Sequence, residues 1–346
     1  MSSIISTSVD FFGLDIGSGA IRLVQLRGSG ANKSLVKYSY VPLDSNIALS
    51  DSSVDQAKLA QIIKQLISKT GVTTQNVAVG IPSNRVFTIV ADVEKLNPKE
   101  MEKSIELQAD SLIPTPIAES KVDWAVIGDS PIDKTKEEIL LTSVPNGYIE
   151  NRLAMLESIG LNVIAFEPDN LALARSLASL DSKTQLILDI GKMSSDLVIV
   201  TSGVPHLTRS IPTGIATIVR STAENMNIDA QQANQLIFKF GMNKDKLEGQ
   251  VFQAVSGAIE QLYTEIEKSI KFYQTRYANT KIDTIIVSGG AAAIPELPIN
   301  LANKFGINVE VGNAWRNVAY GQDRQNELLA ISSQFGVAVG LAERLT

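Results

Sequence analysis

The chain has 346 residues, a formal net charge of −6, no cysteine and a single histidine, His206. Disulfides, thiolate metal sites and cysteine nucleophiles are therefore excluded, and one histidine is too few for a histidine-based metal site or catalytic triad. The acidic balance without a basic block argues against nucleic acid as the main partner. The length indicates about two domains with a large buried core.

Neither end of the sequence resembles a membrane segment. No Lys or Arg precedes Arg22, so the charged region of a signal peptide is missing. The apolar stretch 328–342 is too short to span a bilayer. We expect a cytoplasmic protein that reaches a membrane only through a partner. His206 follows Gly-Val-Pro, which indicates a turn, so we interpret it as a surface or packing residue.

The first motif is "FFGLDIGSGAIRLVQL", residues 11–26. Its Gly-Ser-Gly resembles a dinucleotide-binding loop, but such a loop needs a third glycine and must begin a helix. Here an alternating, β-branched run follows instead and predicts a strand. The segment is therefore strand, tight turn, strand, with Asp15 just before the turn.

The hairpin recurs half a chain later as "LILDIGKMSSDLVIV", residues 186–200, with Asp189 before the turn. The shared order of strand, Asp-Ile-Gly, turn and strand predicts two similar domains. A third motif, "TIIVSGGAAAIPEL" at 284–297, is a buried strand ending in Ser288-Gly289-Gly290. Glycines there either let a ligand approach the backbone or form an ordinary strand-to-helix connection.

Residues 83–164 repeat nothing in the second half, and we predict an inserted α/β subdomain. Its strands are predicted over 86–92, 122–127, 138–144 and 162–166. Helices are predicted after Asn97, with Pro98 at the first position, and over 148–159. In the second half, a helix is capped by Asp229 and ended by Gly241, and a longer one follows with an apolar stripe from Val251 to Tyr273.

The two turns suit a nucleoside triphosphate held between two domains, because small residues let backbone N–H groups approach phosphate oxygens. The aspartates would face Mg²⁺ through its waters, since Mg²⁺ dehydrates reluctantly. The candidate residues are Gly17, Ser18, Gly19, Gly191, Ser194 and Ser195 for phosphate, Asp15 and Asp189 for magnesium, and Gly289 and Gly290 for adenosine.

The order of these motifs resembles the actin-like ATPases, and the chain as a whole is similar to the PilM family of type IV pilus assembly proteins. The likeness includes "KSIELQADSLIPTPIAES", "AFEPDNLALARSL" and "QFGVAVGLAERL". It implies a two-lobed fold of duplicated ribonuclease-H-like domains with an insert like that of FtsA in the first lobe. The expected parts are 1–82 with 165–184 and 330–346 for the first lobe, 83–164 for the insert, 185–212 with 281–329 for the second-lobe core, and 213–280 for its helical part.

The resemblance also implies a scaffolding role with ATP and Mg²⁺ as cofactors. Family members bind the cytoplasmic N-terminal peptide of the membrane protein PilN and work among other inner-membrane pilus components. For the peptide groove we expect the strand "RVFTIVADV", with Val86, Phe87 and Ile89 in contact, although it could equally be an internal strand without a partner.

The chain departs from the family pattern at several site positions. Arg22 replaces a phosphate-binding lysine, and Lys192 occupies a turn where it meets either phosphate or solvent. Gly214, Asn234 and Ile237 stand at adenosine-binding positions, where the last two replace polar residues and weaken binding.

Glu167 stands where active relatives place a water-orienting acid, and it either activates water or caps the next helix. Hydrolysis would be slow and secondary to scaffolding. Two other classes remain open, a small-molecule kinase of the same superfamily and a filament-forming protein like FtsA or MreB. A homo-oligomer is compatible with each.

Overall fold

The computed structural model describes residues 10–28, 30, 32–181, 183–278 and 280–345. Residues 1–9 of the expected first lobe lie outside the described residues. The chain divides into two compact units. The first unit comprises Met1–Pro82, Glu150–Ser176 and Asn313–Thr346, and the second comprises Ser83–Ile149 and Leu177–Gly312.

Fourteen strands and eleven α-helices are found in the described residues. The strands are β1 Phe12–Ile16, β2 Ala20–Arg27, β3 Lys33–Pro42, β4 Asn76–Ile81, β5 Phe87–Glu94, β6 Ser120–Asp129, β7 Lys136–Pro145, β8 Asn162–Pro168, β9 Thr184–Ile190, β10 Ser195–Thr201, β11 Val204–Ile211, β12 Thr284–Ser288, β13 Asn308–Val311 and β14 Val318–Ala319. The helices are α1 Ser45–Leu49, α2 Ser53–Thr70, α3 Pro98–Leu112, α4 Asn146–Glu157, α5 Asp169–Leu177, α6 Ile215–Met226, α7 Ala230–Phe240, α8 Gln250–Arg276, α9 Leu297–Phe305, α10 Gln325–Ile331 and α11 Gly336–Ala342.

Each unit contains a sheet in which five strands share the same order and directions, and the first unit adds β14 at the edge beside β3. In the first unit the order is β14-β3-β2-β1-β4-β8, and in the second it is β11-β10-β9-β12-β13. In both, three strands joined by antiparallel pairing are followed by two parallel strands. The duplication expected from the two hairpins is therefore present in the topology. The central strands β1 and β9 are mostly buried, as their apolar sequences predict.

The inserted segment forms a third sheet, β5-β7-β6, whose pairs are antiparallel. One face packs with α3 into a separate core that includes Met101, Ile105 and Ile139. Asn97 caps α3 by accepting from the backbone N–H of Glu100 at 3.1 Å. Three of the four predicted strands and the first helix are thus observed in the insert with ends shifted by a few residues, whereas the fourth, β8, pairs with β4 in the sheet of the first unit.

The compact units differ from the lobes expected from sequence. The insert up to Ile149 belongs to the second unit, whereas we placed it in the first lobe and extended it to residue 164. Residues 313–329 join the first unit instead of the second-lobe core. The latter assignment has a clear cause, because β14 pairs with β3 and the Trp315 ring packs edge-on against Tyr38.

Helix ends in the second unit follow their capping residues. Asp229 begins α7 with a complete capping box to Gln232, and Gly241 follows its last turn. The stripe on α8 is buried as predicted, with Val255, Ile259 and Leu262 at no measurable exposure.

In the part of the chain that the structure describes, no helix is both long enough and apolar enough to cross a membrane.

Candidate functional site

The first hairpin joins β1 and β2 through a two-residue turn. The N–H of Gly17 donates to the carbonyl of Ala20 at 3.1 Å, so Ser18 and Gly19 form the tip. The carbonyl of Gly19 accepts from Leu43 at 3.0 Å, which ties the turn to the end of β3. The tip residues are half-buried, and their backbone N–H groups are the ones placed to meet an anion.

Asp15 and Arg22 face each other directly across this hairpin. Arg22 Nη1 lies 3.3 Å from Asp15 Oδ2, and Asp15 is only 5% exposed. Burial raises the pKa of Asp15, and the guanidinium of Arg22 opposes that rise. The candidate metal residue of the first unit is therefore already engaged by a cation.

The second hairpin, between β9 and β10, closes in the same way. The N–H of Gly191 donates to the carbonyl of Ser194 at 2.9 Å, and Lys192 and Met193 form an exposed tip. Ser195 is fully buried, and its hydroxyl donates to the carbonyl of Thr213 at 2.5 Å. That hydroxyl therefore stabilises the local backbone, and a phosphate-binding role for Ser195 stays a prediction.

The carbonyls of the second turn cap helix α6. Gly191 accepts from the N–H of Ile215 at 3.0 Å, and Lys192 accepts from that of Ala216 at 2.9 Å. A Cβ added to Gly214 would lie 2.7 Å from the Lys192 carbonyl oxygen, so only glycine allows this approach. Gly214 therefore has a packing role whether or not it meets adenosine.

Gly289, which directly follows β12, also packs against the second hairpin. Its φ is +80°, and a Cβ there would lie 2.4 Å from the carbonyl oxygen of Ile190. Gly290 follows, with Ile215 Cδ1 3.0 Å from the position of an added Cβ. The structure thus gathers the glycines of the second hairpin, the α6 entry and the Ser-Gly-Gly motif around one short segment of the second unit.

The two candidates on α7 have different surroundings. Asn234 is exposed, whereas Ile237 has no measurable exposure and belongs to the main core of the second unit. The Ile237 side chain packs in the core, and its assignment to an adenosine site stays a prediction.

Glu167 is buried beside two arginine side chains. It is 2% exposed; Oε1 accepts from Arg175, and Oε2 accepts from Arg344 Nη1 at 2.9 Å. Each oxygen therefore accepts from a guanidinium group, so Glu167 forms a buried ion-pair cluster. The two alternatives considered from sequence, a water-activating acid and a helix cap, stay predictions.

The two hairpins differ in how well their side chains fit a magnesium ion. Among residues 10–28, 30, 32–181, 183–278 and 280–345, no group of three or more His, Cys, Asp or Glu side chains could hold a metal ion. Asp15 is buried against Arg22, so the first hairpin does not fit a divalent cation. Asp189 is half-buried and stands opposite Asp196 on β10. The second hairpin therefore has the carboxylates that could face hydrated Mg²⁺.

A cavity of about 650 Å³ lies within the second unit. It is lined by residues 87–90 of β5, 206–209 of β11 and the end of α8. Both β5 and β11 are edge strands of their sheets. Phe87 and Ile89, expected at a peptide groove, line this cavity, whereas Val86 does not.

An ionic cluster beside the cavity was missed from sequence. Asp92 and Glu138 are directly opposite on β5 and β7, and Arg276 joins them, with Nη2 2.6 Å from Asp92 Oδ1 and Nε 2.6 Å from Glu138 Oε1. The Tyr277 hydroxyl lies 3.0 Å from each Glu138 oxygen and 3.1 Å from His206 Nδ1. This cluster binds the insert to α8 and β11, which explains why the insert belongs to the second unit. Asp92 and Glu138, charged residues at the ends of apolar strand segments, were the available signal.

Residues 13–346 match the model of the family described as type IV pilus assembly protein PilM. The chain belongs to this family. The match begins within β1 and includes both hairpins, the insert and the C-terminal helix. The resemblance drawn from the two Asp-Ile-Gly motifs and the inserted segment is confirmed.

Solved structures with the same fold are found for several other proteins. The structure of a PilM-PilN type IV pilus biogenesis complex matches with a TM-score of 0.81 and 24% identity, over 97% of this chain and 98% of that chain. The ethanolamine utilization protein EutJ from Carboxydothermus hydrogenoformans matches with a TM-score of 0.58 and 16% identity, over 96% and 88%. MreB5 of Spiroplasma citri bound to ADP matches with 0.54 and 12%, over 95% and 94%.

These matches establish an actin-like fold for this PilM-family protein. The repeated strand order in the two units is the internal reason for the likeness. The PilM-family protein is thus a type IV pilus assembly protein with the fold expected from its two hairpins.

Proposed function

We propose that this PilM-family protein is a nucleotide-binding scaffold of type IV pilus assembly that binds the N-terminal peptide of a PilN-like membrane protein. The main support for the proposal is the family match over residues 13–346. Both units of the chain also contain the Asp-Ile-Gly hairpin. Such a scaffold would be held at the inner membrane through the partner.

ATP binding is supported by the chemistry of the hairpin tips. Each turn closes through its first glycine, so the donors left for phosphate are the N–H groups of Ser18, Gly19, Lys192 and Met193. Two cations, Arg22 and Lys192, belong to these hairpins. Arg22 is fixed by its ion pair, whereas Lys192 is exposed and can turn towards an anion.

Calorimetry with Mg-ATP tests this part of the proposal. We expect saturable binding by the wild-type chain and a loss of at least about tenfold in affinity for Asp189→Ala. The matched control is Asp133→Ala, which removes a half-buried carboxylate from the β6–β7 loop and should leave binding unchanged. Absence of binding by the wild type would refute the nucleotide-binding role.

The peptide is proposed to lie along the free edge of β5, in the cavity of the second unit. An extended segment added to an edge strand gains main-chain hydrogen bonds, and its alternate side chains enter pockets. Residues 87–90 of β5 all line the cavity, and Phe87 and Ile89 also pack against the core of the insert. The apolar side chains among them favour a segment with apolar residues.

Peptide binding is tested by fluorescence anisotropy with the N-terminal segment of the PilN-like protein. Phe87→Glu should weaken binding by at least about tenfold, because a carboxylate would be buried in an apolar pocket. Val126→Glu is the matched control, since Val126 is 48% exposed on β6 of the same sheet. Equal binding by both variants would place the peptide elsewhere on the protein.

A further inference from the structure

The cavity of the second unit lies against the edges of two strands. Consecutive side chains of a strand point to opposite faces of its sheet, so a cavity on one face would reach only every second residue. Here four consecutive residues of each strand line the cavity, 87–90 of β5 and 206–209 of β11. The backbone edge of each strand therefore faces the cavity.

Both edges present main-chain donors and acceptors to the cavity. β5 is the outer strand of the insert sheet, and β11 is the outer strand of the other sheet of the second unit. Among the described residues of this unit, β5 pairs with β7 and β11 with β10, and no strand pairing joins β5 to β11. Alternate residues of an edge strand direct their N–H and C=O groups away from the sheet. The outward groups of β5 and β11 are thus placed to bond to an added strand.

Two large apolar side chains also line the cavity and remain accessible to solvent. Ile132, in the loop between β6 and β7, is 68% exposed, and Phe272 on α8 is 64% exposed. Exposed apolar side chains that converge on one site are typical of a surface that a partner covers. Four residues of strand extend about 13 Å, which matches the stretch of each edge that lines the cavity.

We infer that the bound peptide lies as a strand between β5 and β11 and forms main-chain hydrogen bonds with both. The peptide then joins the insert sheet and the other sheet of the second unit into one continuous sheet. Each residue of such a strand donates its N–H to one edge or the other, so a proline within the four-residue segment is excluded. The inference rests on the proposed peptide binding and adds β11 as a second binding edge.

Backbone methylation of the peptide distinguishes two binding edges from one. Fluorescence anisotropy with the wild-type chain compares the N-terminal peptide of the PilN-like protein with copies that each have one N-methylated amide. Successive N–H groups of a strand point to opposite neighbours, so bonding to both edges makes consecutive positions sensitive. We expect affinity to fall by at least about tenfold at four consecutive positions. Methylation of an amide beyond this segment is the matched control and should leave affinity unchanged.

The pattern of losses separates the inference from the proposed function. Losses at alternate positions only would restrict the main-chain hydrogen bonds to one edge and overturn the inference, and so would a peptide that tolerates every methyl group. In both cases the peptide still binds, and the proposed function stands. An unmodified peptide that does not bind would refute the proposed peptide binding and this inference together.

Disulfide cross-linking identifies the strands beside the peptide. The chain has no cysteine, so Thr88→Cys on β5 and Thr208→Cys on β11 each introduce a single thiol at the cavity. Peptides with one cysteine in the four-residue segment should be captured by both variants. Val126→Cys, on β6 and 48% exposed outside the cavity lining, is the control and should capture none. Capture by Thr88→Cys alone, or by neither variant, would overturn the inference because the bound peptide would not lie between the two strands.

Discussion

Removing Arg276 should weaken the attachment of the insert to the rest of the second unit. Glu138 is 1% exposed, and Arg276→Ala would leave its carboxylate with the hydroxyl of Tyr277 as a remaining donor. It would also leave Glu138 directly opposite Asp92, a like charge across the strand pair. Breaking a buried ion pair from one side costs about 3–5 kcal/mol, so we expect a loss in this range.

The two tryptophans allow this loss to be assigned to one part of the chain. Trp124 lies on β6 of the insert, and Trp315 is buried in the first unit. Urea unfolding of Arg276→Ala in a Trp315→Phe background therefore reports the insert alone.

Arg209→Ala is the matched control for Arg276→Ala. Arg209 also pairs with a carboxylate, Glu265, at 3.0 Å, but their side chains are 42% and 29% exposed. Exposed pairs contribute at most about 1 kcal/mol. If Arg276→Ala costs no more than Arg209→Ala by the Trp124 signal, the cluster does not hold the insert and the reasoning fails.

Three further predictions concern titration and backbone freedom. Burial, and after it Arg276, lowers the pKa of His206 below 6.5, so stability should fall as pH drops below 6.5; the NMR titration of this single histidine checks the pKa. Burial raises the pKa of Glu343 to about 7, so stability should fall as pH rises from 4.5 towards 7, and Glu343→Gln should flatten that part of the urea-unfolding profile. Gly257→Ala, in open space on α8, should stabilise the protein by about 0.5–1 kcal/mol, whereas Gly289→Ala should destabilise it by more than about 2 kcal/mol in the same thermal-unfolding assay.

Local sequence was sufficient for the elements that depend on neighbours in the chain. The turns at Gly17 and Gly191, the capping of α7 by Asp229 and the buried stripe of α8 all follow from spacing and turn chemistry. The sheet duplication followed from the repeated hairpin, because the same strand pattern needs the same neighbours to bury it.

Contacts between distant residues could not be predicted in this way. "FEPDN" presents Glu167 as a free acid beside a helix, and only the fold brings Arg175 and Arg344 to it. His206 follows a turn-like Gly-Val-Pro, yet it lies in β11 against Tyr277. Which residues form ion pairs depends on tertiary packing. The helical or strand periodicity of a sequence does not predict it.

The charge difference between the two hairpins could be predicted from the sequence only once the strand register was known. Once each turn is known to contain two residues, the antiparallel register makes the residue seven positions after the aspartate its opposite partner, which is Arg22 in one unit and Asp196 in the other. Both hairpins have the same Asp-Ile-Gly motif, so the motif alone predicts two equal metal-facing carboxylates. The register predicts one carboxylate neutralised by a guanidinium and one accompanied by a second carboxylate. A motif locates the turn, and the register decides which side chain lies opposite its aspartate.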